Sequence, residues 1–417
     1  MVLIFIFVKV KKEAFLYDLL VIGGGAAGFF AAIVAAEQKP GLKIAILEQG
    51  NEVLGKVKIS GGGRCNVTHA CFDVKDLIQY YPRGQKELQP IFYRFNCENT
   101  IEWFKEKGVK LKTENDGRVF PITDSSQTII NCFLAQIEKH QIKIIKQAKV
   151  LNITKAQNFT VHFNQDFLSA QKIIIATGSN TSIWKLLQNM GHSIVLPVPS
   201  LFTFNIKSEL LKGLEGVSLH LVQLHLHTTK ISSNGALLIT HTGLSGPAIL
   251  KLSAFAARIL QEKNYQFKLE INWLNESIDT VISTLKQEKE IQARKQLGNF
   301  SFYNLPHRFW LKVLEVNGIS SLKLVADISK NDIQNIAQIL TKSILTVHSK
   351  NTNKDEFVTA GGVDLKEVNF KTMESKLFPN LYFAGEVLNI DAVTGGFNFQ
   401  AAWTTGYIAA CSIAENI

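Results

Sequence analysis

The sequence predicts an α/β fold in which a Rossmann-like FAD-binding domain is split along the chain and an antiparallel β and helical cap domain is inserted. Three observations predict this architecture. An apolar run enters a Gly-x-Gly-x-x-Gly pattern at residues 23–28. Another apolar run ends in Gly-Glu at residues 385–386, where the chain would return to the first strand. At residues 196–199 the pattern changes from continuous apolar runs to strict apolar–polar alternation, which is typical of an antiparallel sheet with one solvated face.

The first glycine cluster predicts a binding site for the pyrophosphate of a dinucleotide. Residues 17–22 are typical of a buried parallel strand, and residues 26–37 of the small-residue helix that follows it. Gly23 permits the tight turn, Gly25 lets the backbone approach a pyrophosphate, and Gly28 lets the helix pack on the strand. The amides and the positive dipole end of that helix would face the phosphates.

A second strand supplies the acid that a dinucleotide site needs. Residues 43–47 are apolar and end at Glu48, twenty residues beyond Gly28. A carboxylate at this spacing would accept both hydroxyls of an adenosine ribose and would repel a 2′-phosphate. The strand, glycines, helix, strand and acid together favour a dinucleotide site over a purely structural turn.

The carboxyl-terminal part of the sequence favours FAD over NAD. FAD is the longer molecule, and its ribityl chain and flavin ring need a return of the chain to the side of the first strand. Gly385 and Glu386 follow an apolar strand that supplies this return, and Glu386 is the predicted contact to the ribityl chain or the pyrophosphate. Residues 172–178, an apolar strand ending in Ala-Thr-Gly, are typical of the closing strand of an FAD domain. A helix opening at Asn398 would direct its positive end at the pyrimidine edge of the flavin.

A glycine-rich loop at residues 55–66 follows directly after the ribose acid. Its three consecutive glycines let backbone amides face an anion or a flat ring without obstruction. Arg64 is predicted to balance the charge of the pyrophosphate or the reduced flavin, and Asn66 to bond the polar edge of the ring. Cys65 has no neighbouring His or second Cys in the motif, which favours a packing role over that of a nucleophile or redox partner.

Eight sequence blocks, in order along the chain, carry a family resemblance. They are Gly-Lys at 55–56, SGGGRCNVT at 60–68, GRVFP at 117–121, HTGLSGPA at 241–248, TAGGV at 359–363, TMESK at 372–376, Gly-Glu at 385–386 and GGFNFQ at 395–400. With these blocks the chain resembles the bacterial NAD(P)/FAD-dependent oxidoreductase (flavoprotein) family that includes aminoacetone oxidase and BaiN-type bile-acid enone reductase. The resemblance implies an FAD-binding oxidoreductase.

Three positions depart from the usual pattern of that family. Ser179 follows Ala-Thr-Gly where a second glycine is usual, residues 389–392 replace Asp-x-Asp-Gly, and Phe397 replaces a tyrosine. The members also differ in their chemistry, so the resemblance implies the cofactor and leaves the substrate open.

The predicted cofactor-binding residues come from six separate parts of the chain, and no catalytic acid or base is predicted. The set is Gly23, Gly25, Ala26, Ala27, Gly28, Glu48, Gln49, Lys56, Gly63, Arg64, Cys65, Asn66, Ala176, Thr177, Gly178, Gly385, Glu386, Gly395, Gly396, Phe397 and Asn398.

Length and composition favour a globular enzyme of two or three lobes. At 417 residues the chain exceeds the usual size of one core. The net charge of +10 is scattered without a run of five like charges, so we expect no nucleic-acid partner. Five cysteines without a Cys-x-x-Cys motif indicate neither a disulfide framework nor a dithiol centre, which favours the cytoplasm. The apolar run in residues 1–15 is too short for a membrane helix and lacks the features of a signal peptide, so we assign this segment no function.

The predicted boundaries are 16–195 for the first part of the FAD-binding domain, 196–350 for the inserted cap or substrate domain, and 351–417 for the carboxyl-terminal part. Within the insert, residues 265–273 alternate apolar and polar side chains. Val217, Leu219 and Leu221 do the same before the phase slips, as at a β-bulge. Residues 279–348 have a helical pattern.

Three histidines of the insert, His220, His225 and His227, are of a residue type that binds metals. They lie along strands that change phase, without a Cys or carboxylate partner in the sequence pattern, so we predict solvent-facing histidines and no metal.

The chemistry is expected to come from the flavin, because the sequence has no second dinucleotide fingerprint and no motif of paired catalytic acids. NAD(P)H could visit the flavin pocket transiently, giving a reductase of activated C=C bonds in a small-molecule substrate. Oxygen could instead reoxidise the flavin, giving an amine oxidase. A flavin-dependent tRNA-modifying protein is an alternative of another class, which the charge of +10 would suit. The oligomeric state is left open.

Overall fold

The computed structural model describes residues 16–300, 302–351 and 358–417. The chain forms two compact units. The first comprises Met1–Leu196, Gly361–Ile390 and Gly395–Ile417, and the second comprises Pro197–Ala360 and Asp391–Thr394. The predictions for residues 1–15 concern a segment that lies outside the described residues. No helix among the described residues combines the length and apolarity that a membrane span requires.

The first unit starts as alternating strands and helices. Its elements up to residue 189 are β1 (Leu16–Ile22), α1 (Ala26–Gln38), β2 (Ile44–Leu47), α2 (Gly55–Ile59), β3 (Thr68–His69), α3 (Val74–Leu77), α4 (Gln85–Phe92), α5 (Cys97–Glu106), β4 (Leu111–Thr113), β5 (Arg118–Pro121), α6 (Ser126–Lys139), β6 (Lys143–Ile145), β7 (Val150–Lys155), β8 (Phe159–Phe163), β9 (Asp166–Ile175) and α7 (Thr181–Asn189).

The second unit contains a closed antiparallel barrel and a group of helices. Its elements, after the connecting strand β10 (Ile194–Ser200), are β11 (Phe204–Ile206), β12 (Ser218–Leu226), β13 (Ser232–Thr240), β14 (Gly243–Ser245), α8 (Pro247–Glu262), β15 (Phe267–Asn272), α9 (Ile278–Ile291), α10 (His307–Val316), α11 (Lys330–Lys342) and β16 (Ser343–Lys350). The barrel closes in the order β11, β14, β13, β12, β15, β16. Alternate residues such as Leu224, Leu226, Leu269 and Ile271 are buried, as the apolar–polar alternation predicts.

The chain then returns to the first unit and completes its main sheet. The remaining elements are β17 (Val358–Val363), β18 (Val368–Asn369), β19 (Glu374–Ser375), β20 (Leu381–Phe383) and α12 (Phe397–Glu415). The strand order is β18, β19, β20, β9, β1, β2, β6, and the hairpin of β7 and β8 continues from β9. Strands β20, β9, β1, β2 and β6 run parallel, so the Rossmann-like arrangement and the carboxyl-terminal return are confirmed.

Two nearly apolar helices, α1 and α12, pack closely against each other. Ten consecutive residues of α1 are buried, as expected for a helix that is covered on all sides. Small residues make the close approach possible, since a Cβ on Gly406 of α12 would lie 3.1 Å from Ala27 O. A Cβ on Gly28 would lie 2.0 Å from Gly23 O, so the contact between helix and turn requires glycine there.

Two local predictions for the second unit are wrong. Leu221 does not share the buried face of Leu219, because the register shifts directly after Leu219 and leaves Leu221 49% exposed. The helical pattern assigned to residues 279–348 extends too far, because residues from Ser343 onwards form β16 of the barrel. Helix α11 ends at Lys342 and the strand begins at the next residue, without a glycine or proline that would signal the change.

Candidate cofactor-binding site

The parallel register of the central strands brings four predicted site segments to one edge of the sheet. Ile22 at the end of β1 pairs with Leu47 and Ile175, and Ile175 pairs with Phe383. Each of these residues ends its strand, so the segments that follow them meet at the carboxyl edge. That edge is where open α/β sheets bind their ligands.

The turn after β1 leaves room and backbone donors for an anion. Gly23 has a φ of +113°, and a Cβ there would lie 2.4 Å from Ala176 O. No atom lies within 4 Å of the position a Cβ would take on Gly25, which is the N-cap of α1. The helix has no side-chain cap and no acidic residue in its first turn, so its first amides are available to a phosphate.

Glu48 lies at the end of β2, and backbone amides hold its carboxylate in place. Oε2 accepts a hydrogen bond from Gly24 N at 2.8 Å, and Oε1 accepts one from Gly50 N at 2.7 Å. Each carboxylate oxygen can accept a further hydrogen bond, so these contacts orient the acid and leave acceptor capacity for a ligand. The acceptance of ribose hydroxyls by Glu48 stays a prediction.

A cavity beside Glu48 contains residues that sequence reasoning missed. Ala148, Lys149 and Val150, at the start of β7, line it together with Glu48 and Gln49. Ala148 N donates to Glu48 O at 2.8 Å, which fixes this segment against the end of β2. These three residues lie where the chain enters β7 and carry no side-chain motif, so nothing in the sequence marks them as lining this cavity.

Asn180 and Thr177 line the same cavity from the other side. Asn180 caps α7 with its side-chain oxygen and donates from Nδ2 to Gln49 Oε1 at 3.2 Å. The Thr177 hydroxyl is buried and has no hydrogen-bond partner among the described residues. An unsatisfied buried hydroxyl costs about 1–3 kcal/mol, so a ligand hydroxyl or phosphate here would be stabilising.

An ion pair connects α2 to the carboxyl-terminal return. Lys56 Nζ lies 2.5 Å from Glu386 Oε2. Next to the pair, Gly385 packs on the start of α1, since a Cβ on Gly385 would lie 2.9 Å from Ala27 Cβ. Ala26 is the first residue of α1, so Lys56 and Glu386 lie near the glycine turn that precedes this helix.

The start of α12 is held by the glycine-rich loop. Gly395 and Gly396 precede the helix, which begins at Phe397, one residue before the predicted Asn398. Gly396 is an N-cap without a side-chain cap, and a Cβ on it would lie 2.5 Å from Thr68 O. One orientation of the Asn66 side-chain amide gives both its oxygen and its nitrogen hydrogen-bond partners. In this orientation the amide oxygen accepts from Gly396 N at 2.9 Å, and the amide nitrogen donates to Thr68 O at 2.9 Å. Asn66 therefore supports the start of α12, and the orientation of this helix start towards the flavin stays a prediction.

Arg64 contacts carboxylates of the protein. Its Nη1 lies 2.6 Å from Glu114 Oε1 and 3.6 Å from Asp124 Oδ1, and its guanidinium stacks on Phe120 at 4.0 Å. The hydrogen bond with Glu114 raises the pKa of the guanidinium further. Through these contacts Arg64 fixes the chain next to Gly63. A contact between Arg64 and the charge of the cofactor stays a prediction.

Cys65 is fully buried between these residues. Burial raises the pKa of its thiol to about 12. A thiol of this kind remains protonated at neutral pH and is a poor nucleophile.

The residues present fit an FAD molecule. The uncapped start of α1, an open glycine turn, a held carboxylate and a buried unpaired hydroxyl lie along one sheet edge, and α12 supplies a second uncapped helix start. By contrast, no group of three or more His, Cys, Asp or Glu residues in the described ranges could hold a metal ion. In the barrel, His225 Nε2 lies 2.6 Å from Thr229 O, and His227 Nδ1 lies 3.8 Å from Glu270 Oε2, a cross-strand carboxylate that the sequence pattern did not reveal.

Comparison with known proteins finds a matching family, relatives in sequence and a similar structure. The model of the HI0933-like protein Rossmann domain matches residues 17–412. Ribosomal RNA dihydrouridine synthase of Escherichia coli (strain K12) is 28% identical over 94% of this chain and 97% of its own. The 3-dehydro-bile acid delta(4,6)-reductase of Clostridium scindens is 26% identical over 95% of this chain and 98% of its own. The 3-ketosteroid-delta4-(5alpha)-dehydrogenase of Rhodococcus jostii RHA1 has a similar structure, with a TM-score of 0.51, 12% identity and coverage of 97% of this chain and 98% of that chain, which shows a shared fold.

Proposed function

The chain belongs to the HI0933-like protein Rossmann domain family and is an FAD-dependent oxidoreductase, and from this premise we propose that it reduces a C=C bond conjugated to a carbonyl group. The cofactor is non-covalent FAD, and NAD(P)H is the transient electron donor. The absence of a second dinucleotide motif in the sequence supports a donor that visits the flavin pocket and leaves.

One observation carries this proposal. Two relatives that match this chain over almost its whole length are named for closely related reactions. A dihydrouridine synthase saturates the ring C=C bond of a uracil, which is conjugated to a carbonyl. A 3-dehydro-bile acid delta(4,6)-reductase acts on a C=C bond conjugated to the 3-oxo group. The shared chemistry is therefore hydride addition to an electron-poor C=C bond.

The residues of the site supply binding and electrostatics for this reaction. Bound FAD supplies the hydride. Glu48 offers acceptors to the adenosine ribose, and the amides at the start of α1 offer donors to the pyrophosphate. With FAD bound, the positive end of α12 would stabilise the flavin edge that becomes negative on reduction. Cys65 takes no part, because its thiol is buried and protonated.

A uracil base in ribosomal RNA is the second candidate substrate. The E. coli ribosomal RNA dihydrouridine synthase aligns with this chain over 97% of its own length. The net charge of +10 also suits a polyanionic partner such as RNA. The sequence alone favours a small-molecule substrate, since its positive charge is scattered. The two candidates share the reacting group and differ in what surrounds it.

Anaerobic reduction separates the possible activities. The purified yellow protein is mixed with NADH or NADPH, and bleaching of the flavin absorbance reports the donor. The reduced protein then receives a 4,6-dien-3-one bile acid, an unmodified rRNA transcript, or oxygen. We expect fast reoxidation by one of the C=C acceptors, with the saturated product detected by mass spectrometry. Fast reoxidation by oxygen alone, with no saturated product from either acceptor, would favour the amine oxidase and contradict the proposal.

A further inference from the structure

Three aromatic side chains meet at the first residue of α12. Tyr80 stacks on Phe397 with ring centroids 4.1 Å apart and planes 11° from parallel. His69 stacks on the same ring at 4.6 Å. The Tyr81 hydroxyl donates to Phe397 O at 2.7 Å. These contacts fix all three side chains relative to the helix start that faces the predicted flavin edge.

Of the three ionisable groups that contact Phe397, two have their protons engaged in hydrogen bonds to the protein. The His69 Nε2 lies 3.0 Å from Asp116 O and donates to it, and burial lowers the pKa of the imidazole so that the ring is neutral at pH 7. Tyr81 is fully buried, and its only proton is donated to Phe397 O. Neither group can give a proton to a ligand without breaking a contact that holds the site.

Tyr80 is in a different position. Its side chain is half-buried, and within the described part of the chain its hydroxyl has no hydrogen-bond partner. The parallel stacking on Phe397 restricts the ring, and the neighbouring Tyr81 anchors the backbone on the same residue. The phenol is therefore held in place by its ring while its O–H group is open to a ligand.

We propose that Tyr80 is the catalytic acid that completes the reduction of the C=C bond, an inference that rests on the function proposed above. A hydride from the reduced cofactor forms a C–H bond at the β-carbon, and the π electrons of the C=C bond move to give an enolate. The α-carbon of the enolate takes the proton of the Tyr80 hydroxyl. The tyrosinate then regains a proton from water, and NAD(P)H returns the cofactor to its reduced form.

The ionisation of Tyr80 suits an acid and not a base. Burial raises the pKa of the phenol above its usual value near 10, and the nearby Cys71 and Asp76 add to the shift. The group therefore holds its proton throughout the neutral range, and an enolate is basic enough to remove it. General acid catalysis of this kind contributes roughly 10²–10⁴-fold to a rate.

The test compares Tyr80→Phe, which keeps the stacked ring, with Tyr93→Phe as the control. Tyr93 belongs to the same unit and is 63% exposed. In anaerobic stopped-flow experiments we expect Tyr80→Phe to slow reoxidation by the dienone bile acid or the rRNA transcript by roughly 10²–10⁴-fold. Reduction by NAD(P)H and reoxidation by oxygen should stay within about two-fold, because neither step protonates carbon. Tyr93→Phe should match the wild type in every step.

Two further measurements distinguish proton donation from packing. FAD content and thermal unfolding should be unchanged in Tyr80→Phe, and a spectrophotometric titration at the phenolate band should lose one group that ionises above pH 10. Tyr80→His, which restores a proton donor on a ring, should recover part of the rate. Equal rates in wild type and Tyr80→Phe, or equal losses in Tyr80→Phe and Tyr80→His, would overturn the role of Tyr80 while the proposed function stands. A wild-type protein that reduces neither acceptor would overturn both.

Discussion

Lys56 Nζ lies 2.5 Å from Glu386 Oε2 although 330 positions of sequence separate the two residues. The contact joins α2, next to the first glycine turn, to the short turn that follows β20. Gly178 faces the same point, because a Cβ on it would lie 3.8 Å from Glu386 Oε2 and 3.9 Å from Lys56 Nζ. Three distant sequence blocks thus converge where the pyrophosphate and the ribityl chain of an FAD are expected.

The change Glu386→Gln should weaken FAD binding. If the carboxylate accepts hydrogen bonds from ribityl hydroxyls, its loss removes a charged acceptor worth roughly 1–3 kcal/mol. Fluorescence titration of the apoprotein with FAD measures the effect. The control is Glu52→Gln, since Glu52 pairs with Lys58 of the same helix and is largely exposed. Tighter binding in Glu386→Gln would show that the acid only competes with the pyrophosphate for Lys56.

The change Glu48→Gln should lower both stability and FAD affinity. In the structure each carboxylate oxygen accepts a backbone amide, from Gly24 and from Gly50. An amide side chain would turn one NH₂ group towards an N–H donor, so we expect a lower melting temperature of the apoprotein. We also expect FAD binding to weaken by roughly 1–3 kcal/mol, because the ribose hydroxyls lose a charged acceptor. A lower melting temperature with unchanged FAD affinity would show that Glu48 stabilises the fold through Gly24 and Gly50 and does not bind the cofactor.

The change Gly396→Ala should disturb the start of α12 and reduce bound FAD. Gly396 has a φ of +92°, and an added Cβ would lie 2.5 Å from Thr68 O, so the residue is both strained and obstructed. Gly41 is the matched control, with a φ of +91° and no atom within 4 Å of the added Cβ. Both variants pay a similar backbone cost, and the difference in FAD content isolates the clash at the helix start. Equal FAD content in the two variants would contradict a cofactor role for this turn.

Local signals explain what the sequence could predict. The run of buried apolar residues in β1 and the glycines that follow have fixed spacings, and the return through Gly385 and Glu386 repeats the same signal near the other end. The N-cap of α6 is local in the same sense, because the Ser125 side chain accepts a hydrogen bond from Gln127 N, two residues along the chain.

What could not be predicted depends on tertiary contacts. The sequence suggested that Arg64 faces cofactor charge, and its ion pair with Glu114 depends on the β3–β5–β4 sheet that brings the two together. Val150 lines the cavity beside Glu48 through its position at the start of β7, which no motif records. The role proposed for Tyr80 likewise follows from its stacking on Phe397, a residue more than 300 positions away.

The last prediction concerns Cys65, the cysteine of the glycine-rich loop. Burial raises the pKa of its thiol from about 9 to about 12, so the thiol stays protonated up to strongly alkaline pH. A thiol without a base or partner cysteine is poorly activated. We therefore expect Cys65→Ser to leave the rate of flavin reduction by NAD(P)H within a few-fold of the wild type, measured by stopped-flow absorbance at equal FAD content. Cys71→Ser, at a half-buried cysteine outside the loop, is the matched control. If Cys65→Ser alone abolishes turnover while FAD stays bound, the enzyme uses thiol chemistry, and a mechanism that depends on the flavin and a phenol acid is wrong.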